Sequence, residues 1–265
     1  MKILGILNIT EDSFSDGGKY LAADAALAHG RELAKGADVL DIGAASSNPD
    51  SAGIPSRVEI VRLESVVPIL RREKIALSID TFSPEVQRWA LQQNVEYLND
   101  IHGFPDTALY PELAASSAKL IVMHAVQAQG RATRVDIPPN EILDRIHRFF
   151  DARLTALTKA GIARDRLIVD PGMGFFLGSD PETSFTVLRA IPALKRAFDL
   201  PVLISVSRKS FLRKVTGRPL AEGGPASLAA ELFAAAQGAD LIRTHEPRAL
   251  RDGLAVWREI GGNKP

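Results

Sequence analysis

LIVDPG, residues 167–172, decides the fold. Three consecutive apolar residues without polar alternation describe a strand covered on both faces, as in a parallel sheet. The run ends on Asp170, a carboxylate that a buried strand would not choose for stability, and then on Pro171-Gly172, which punctuates it. Seven other runs have the same form: LGILNIT (4–10), VLDIGA (39–44), ALSIDT (76–81), YLNDI (97–101), LIVMHA (120–125), VLISVSRKS (202–210) and LIRTHE (241–246). Each is bounded by a stretch with helical spacing, so strand and helix alternate eight times. The repeat predicts an α/β fold, a single-domain (β/α)8 TIM barrel over residues 1–265, with its active site at the C-terminal ends of the strands. Asn8, Asp41, Asp80, Asn99, His124, Asp170, Lys209, Arg243 and His245 would then converge on one mouth.

Periodicity places helices over 22–35, 57–72, 84–93, 109–116, 140–160, 182–198, 225–237 and 248–259. Ser83-Pro84 and Asp180-Pro181 read as caps with proline in the first turn. Gly36 stops the first helix, and Gly161 and Gly238 stand where left-handed caps are needed. The loops after the first, second and sixth strands are rich in Gly, Ser and Pro, as expected if one end of the barrel carries function. The segment from Thr10 to Gly18 is too polar and glycine-rich to pack as core, and reads as a mobile lid.

Composition narrows the function. The 265 residues carry 32 basic and 32 acidic side chains, without a basic run, so nothing suggests a nucleic-acid partner. Cysteine is absent, which removes disulfides, a thiolate nucleophile and cysteine-held metals, and fits a reducing compartment. No signal-like or membrane-spanning run is found, so the expectation is a cytoplasmic enzyme that does not engage a membrane.

Asp80, Asn99 and Asp170 suit a flat, nitrogen-rich heterocycle: a carboxylate accepts two N–H bonds from an amino-amide edge, and an Asn side chain both donates and accepts. Taken singly, each carboxylate could equally cap the helix that follows. Ser207-Arg208-Lys209-Ser210 follows the seventh strand, a place where barrels often bind phosphate. Arg243 and His245 share one side of the eighth strand, which closes onto the first, where Asn8 could offer a neutral oxygen to Mg²⁺. Alternatively, Arg208 and Arg243 form ion pairs towards the helices and His245 is a satisfied interior histidine. No histidine pair has the spacing of a zinc site.

LNIT-x-DSFSDGG (7–18), SIDT, YLNDI, VMH, DPGMGF, SRKS and RTH together resemble the ordered motifs of the dihydropteroate synthase family, from Ile3 to about Leu254. The resemblance implies condensation of 6-hydroxymethyl-7,8-dihydropterin diphosphate with p-aminobenzoate, giving 7,8-dihydropteroate and diphosphate. It implies that Asp80, Asn99 and Asp170 hold the pterin, with Met123 and Lys209 beside the ring. Asp80, Asp170 and Lys209 are the residues to which it gives the catalytic work. It assigns Asn8, Arg243 and His245 to the diphosphate and its Mg²⁺, and Ser207, Arg208 and Lys209 to p-aminobenzoate and closure over the pterin. Phe14 falls in the first loop, and a homodimer is implied, with the helices over 225–237 and 248–259 as its candidate face.

Two segments depart from the family's usual pattern. The loop after the second strand reads ASSNPD (45–50), keeping a hydroxyl at Ser47 but replacing a guanidinium by the amide of Asn48; the sixth strand runs into GFFLG (174–178), with Phe175 and Phe176 in tandem. Both departures are most similar to the sulfonamide-insensitive branch. Extra bulk at the pocket rim could exclude a tetrahedral sulfonamide and its ring while admitting a planar carboxylate. Competing readings are another pterin-binding barrel, such as a methyltetrahydrofolate-dependent methyltransferase, which should lack SRKS and RTH; a Schiff-base aldolase using Lys209; and a pterin-binding scaffold without turnover.

Overall fold

The computed structural model describes residues 1–9, 18–45, 53–127 and 137–261, with 18–22 as backbone. Eight strands, β1 (Lys2–Asn8), β2 (Val39–Gly43), β3 (Leu77–Asp80), β4 (Tyr97–Asp100), β5 (Lys119–Met123), β6 (Leu167–Asp170), β7 (Leu203–Ile204) and β8 (Leu241–Thr244), form one parallel sheet. Their order is β6-β5-β4-β3-β2-β1-β8-β7, and a parallel bridge between Val169 and Val202 joins the two ends into a barrel. The expected (β/α)8 architecture is therefore the one observed.

Outside the strands lie α1 (Gly18–Ala34), α2 (Ser56–Glu64), α3 (Val67–Arg72), α4 (Pro84–Gln92), α5 (Tyr110–Ala115), α6 (Ile142–Lys159), α7 (Pro181–Arg189), α8 (Ile191–Phe198), α9 (Ser210–Thr216), α10 (Gly224–Ala236) and α11 (Pro247–Glu259). Two stretches that periodicity reads as single helices are each divided. Pro68 and Pro192 occupy the first turns of α3 and α8, since inside a continuous helix each would remove a hydrogen bond and clash with the preceding turn. Helix α9, directly after the SRK turn, is an element that periodicity did not indicate.

The expected caps are present: Ser83 Oγ accepts from Val86 N at 3.4 Å and Asp180 Oδ1 from Glu182 N at 2.9 Å. Gly161 and Gly238 have φ of 89° and 91°, the left-handed conformation that glycine adopts without penalty. Gly36 serves close packing instead: a Cβ there would lie 2.5 Å from the backbone N of Arg248 at the start of α11.

Alternation along the strands positions the site. Leu4, Val39, Tyr97, Ile121, Ile168, Leu203 and Leu241, with Ala76 before β3, form a separate buried apolar cluster that plugs the barrel interior. Two residues further on, the same lumenal face reaches Ile6, Asp41, Ser78, Asn99, Met123, Asp170, Ser205 and Arg243. One step along the barrel thus converts a wholly apolar layer into a mostly polar one. The residues of opposite parity, such as Ile3, Leu40, Ile42, Ile79, Leu98, Val122 and Val169, join the larger core beneath the helices.

Candidate active site

The polar layer has an acidic side and a basic side. On the acidic side Asp80 pairs in register with Asn99, and Met123 with Asp170. Asn99, and not the neighbouring Asp100, faces the lumen, because Asp100 points to the helices and accepts from Gln87 Nε2 and the backbone N–H groups of His102 and Phe104 at 2.8–3.0 Å. Asn99 Nδ2 donates to Asp41 Oδ2 at 3.2 Å, while its Oδ1, Asp41 Oδ1, Ser78 Oγ and Ser205 Oγ are buried without a hydrogen-bond partner. Buried polar oxygens are rarely left so, and a cluster of them marks a floor suited to a polar ligand. Beside this floor Ile101, Met123 and Phe176 form a buried apolar cluster, joined by Phe82, Ala125 and Phe175.

Arg243 spans the two sides. Its Nε donates to Asp41 Oδ2, and one terminal nitrogen donates to Asp80 Oδ2 at 2.6 Å. The guanidinium that sequence reading assigns to diphosphate is therefore turned inward, and a cavity that reaches Asp80 holds about 20 Å³. A larger cavity, about 420 Å³, lies outside the lumen between the ends of β4 and β5 and helix α6, with His102, His124, Arg145 and Arg148 among its walls.

On the basic side Lys209 Nζ stands 5.0 Å from the Phe176 ring centroid, within cation–π range. Arg208 has φ of 57°, unusual for a side-chain-bearing residue, and is fixed there by its N–H to Ser227 Oγ at 2.9 Å. Its guanidinium meets Glu246 at 3.1 Å with both side chains more than 40% exposed, a pair worth little and easily exchanged. Ser207 is buried; its Oγ accepts from His245 N at 3.1 Å and lies 3.0 Å from His245 Nδ1. It supports the histidine instead of opening into the mouth. Asn8 is exposed at the end of β1, with Oδ1 directed over Gly43, where an added Cβ would stand 3.5 Å away.

The electrostatics follow the geometry. Burial pushes Asp80 up to about 7, with Asp41 adding to the rise and Arg243 and Lys209 opposing it. Burial likewise raises Asp170 to about 6 against the N–H of Gly172, which donates to it at 2.8 Å. Lys209 falls to about 8 through burial and the repulsion of Arg243, partly offset by Asp170 and Asp80. His245 falls to about 3 through burial and the nearby Arg243, Arg208 and Lys209, so its ring is neutral. Arg243 is raised despite its burial, because Asp41 and Asp80 favour its charge.

Asp41 stood among the strand-end residues without a role, yet it anchors both Asn99 and Arg243. Its signal was a charge inside the run VLDIGA, on the lumenal parity. Glu231 was missed altogether, although it shares the buried face of α10 with Ser227, Ala234 and Ala235, where a carboxylate is out of place. Phe14 and Ser47 lie outside the described residues, as do positions 10–17 and 46–50 of the two loops read from sequence. Among the described residues no group of three or more His, Cys, Asp or Glu side chains could hold a metal ion by itself.

Residues 4–245 match the family described as pterin binding enzymes. The chain is similar to dihydropteroate synthase type-2 of Escherichia coli, at 61% identity over 96% of this chain and 94% of that protein. Its structure is similar to dihydropteroate synthase of Xanthomonas albilineans with 4-aminobenzoic acid, at a TM-score of 0.89 and 35% identity, covering 99% of this chain and 93% of the other. It is also similar to the enzyme of Anaplasma phagocytophilum with bound 6-hydroxymethylpterin-monophosphate, at a TM-score of 0.85 and 34% identity, covering 98% of each chain.

Proposed function

The chain belongs to the dihydropteroate synthase family, and from that premise we propose how its mouth divides the reaction between the acidic and basic sides. The substrates are 6-hydroxymethyl-7,8-dihydropterin diphosphate and p-aminobenzoate. The pterin ring lies on the floor of Asp80, Asn99 and Asp170, against Met123 and Phe176, with Lys209 over it. The observation that carries this reading is the set of unpartnered buried polar oxygens at Asn99, Asp41 and Ser78, beside the apolar cluster of Ile101, Met123 and Phe176. To seat the ring, Arg243 must leave Asp80; the exchange frees a carboxylate for ring N–H groups and a guanidinium for the diphosphate.

C–O cleavage leaves positive charge spread over the pterin, which Asp80 and Asp170 stabilise as anions. Arg243 and His245 take the growing charge on the departing diphosphate. The aryl amine then attacks the methylene, its nitrogen loses a proton, and 7,8-dihydropteroate and diphosphate leave. No covalent bond to the protein is formed; a Lys209 or Ser207 adduct with pterin, found by mass spectrometry, would overturn this order. Asn8 supplies one neutral oxygen, too few ligands for a resident cation but suited to Mg²⁺ carried mainly by phosphate oxygens and water. When bound, Mg²⁺ would neutralise charge on the leaving group.

Arg208, whose exposed pair with Glu246 is easily broken, takes the p-aminobenzoate carboxylate at the rim, with Lys209 nearby. Phe14 and Ser47, outside the described residues, are carried as p-aminobenzoate contacts on the family resemblance alone. Phe175, together with the 45–50 loop, excludes sulfonamides, while Phe176 belongs to the pterin wall. Turnover with both substrates, measured with and without sulfamethoxazole at matched p-aminobenzoate, tests both statements. Absence of product would sink the first; inhibition equal to that of an ordinary family member would sink the second.

A homodimer through α10 and α11 is supported by Phe233, Val256 and Ile260, which stand 41%, 60% and 72% exposed. Sedimentation at micromolar protein would reveal a monomer if this is wrong. No helix among the described residues is long and apolar enough to cross a membrane. We place the reaction in the cytoplasm, which the absence of cysteine supports and cell fractionation tests.

A further inference from the structure

The cavity of about 420 Å³ between the ends of β4 and β5 and helix α6 has no part in the condensation. One of its walls is the stretch just past β5, from His124 to Gln127, which is tied to the end of β6: His124 N donates to Asp170 O at 2.8 Å and Val126 N to Phe176 O at 2.9 Å. This wall is thus fixed by the segment that carries Asp170. Helix α6 contributes Arg145, Phe149 and Arg153, which follow one another at i, i+4 and i+8 on one helix face, with Arg148 beside them. None of the described lining residues is acidic.

Several polar groups around this cavity lack partners. Arg153 is held by its own bonds, from Nη1 to Phe104 O at 2.8 Å and to Tyr110 Oη at 3.3 Å. Arg145 pairs through one terminal nitrogen with the half-exposed Glu141 at 3.1 Å, but its Nε is buried with no partner. Arg148 is exposed. Both polar atoms of the Gln127 amide are buried without a partner as well. Buried polar atoms are nearly always matched, so three orphans around one cavity point to an occupant that is itself polar. His124 adds an acceptor. Its Nδ1 lies 3.1 Å from Pro171 O, and since a carbonyl only accepts, the ring hydrogen is on Nδ1. Burial, with a smaller push from Arg145, lowers His124 to about 4 against the bond to Pro171, so the ring is neutral and Nε2 carries a lone pair.

We propose that this cavity is a second ligand site, which takes a phosphate monoester of a small hydroxylated molecule. The phosphate, close to doubly charged at neutral pH, meets Arg145 and Arg148, whose planar guanidinium groups offer paired N–H donors. A hydroxyl of the same ligand donates to His124 Nε2, and the Gln127 amide, able both to donate and to accept, takes another. A wall of arginines without a carboxylate excludes a cationic ligand. A bare phosphate would leave most of the 420 Å³ unfilled, whereas small organic ligands occupy cavities of roughly 300–1,000 Å³. The site does not depend on how the mouth divides the condensation.

The test is long-range ¹H–¹⁵N correlation on the full-length protein with ¹⁵N-histidine, the His124 signals being identified by their loss in His124→Gln. Titration with ribose 5-phosphate at neutral pH and fixed ionic strength should move the His124 Nε2 signal along a saturating curve. Inorganic phosphate should bind roughly tenfold more weakly, because it cannot reach the arginines and the two hydroxyl partners together. Arg148→Glu should weaken ribose 5-phosphate roughly tenfold or more. A linear response, an equal shift with acetate, or an unchanged curve in Arg148→Glu overturns the proposal. Equal affinity for inorganic phosphate overturns the class of ligand. Phosphates can also enter the mouth, so His245→Gln must leave the His124 curve in place; its loss there would move the ligand to the mouth and overturn the second site. If Arg148→Glu does not fold, Arg148→Ala replaces it and must weaken binding in the same direction.

Discussion

The two sides of the mouth are built differently. The acidic side places Asp80, Asn99 and Asp170 at or next to the last residue of a strand, where register fixes their positions relative to one another. The basic side uses residues at or just beyond the ends of β7 and β8, where the backbone turns through a left-handed Arg208 and is held by hydroxyls from Ser207 and Ser227. Burial shifts the groups on both sides towards neutrality, the carboxylates upward and Lys209 and His245 downward. A ligand with an electron-poor, N–H-rich ring at one end and a polyanion at the other restores both. Arg243 joins the halves, so it is where the comparison breaks first.

Arg243→Ala should have the largest effect. It leaves Asp41 fully buried without its cation, costing about 3–5 kcal/mol in urea unfolding, as expected when one member of a buried pair is removed. A loss below about 1 kcal/mol would mean that the bridge is slack and the two sides are independent. Asp170→Asn should lower kcat/KM by about 10²–10³-fold with stability little changed, since it removes charge where cation develops in the transition state. If only KM rises, the acidic side merely binds.

The pH profile of kcat/KM sharpens the contrast. Asp80 and Asp170 must be ionised, and their raised values mean that activity falls as pH drops through about 7 to about 6. Lys209 must be charged, and its lowered value means that activity falls again as pH rises through about 8. The expected curve is a narrow bell whose limbs belong to coupled sets of groups. A flat profile from pH 6 to 9 would show that neither side depends on these charges. Phe176→Leu, which removes the ring under Lys209 but keeps an apolar wall, should cost only about 2–5-fold in kcat/KM. A larger loss would mean that the aromatic ring of Phe176, and not just an apolar wall, is needed against the pterin.

The acidic side was the more legible in sequence because its signal is local. A carboxylate or amide closing an apolar run is anomalous wherever it occurs, and parity alone assigns Asn99 to the lumen and Asp100 to the helices. The basic side was legible as a set of residue types, but the partners of those residues were not. Nothing near Ser207 in the chain indicates that its hydroxyl serves His245, 38 residues on. Helix boundaries failed where a proline was read as part of a long amphipathic stretch, at Pro68 and Pro192.

What the sequence determined by itself is the eightfold alternation, the closed parallel barrel, the acidic set at its mouth and the family, because each depends on periodicity or on short ordered motifs. Tertiary structure alone decided that Arg243 lies inward across Asp41 and Asp80, 202 and 163 residues away in the chain, and that Ser207 holds His245. Such pairings depend on strand register and barrel closure, which bring distant residues within a few ångströms, and no local pattern of residue types encodes that distance.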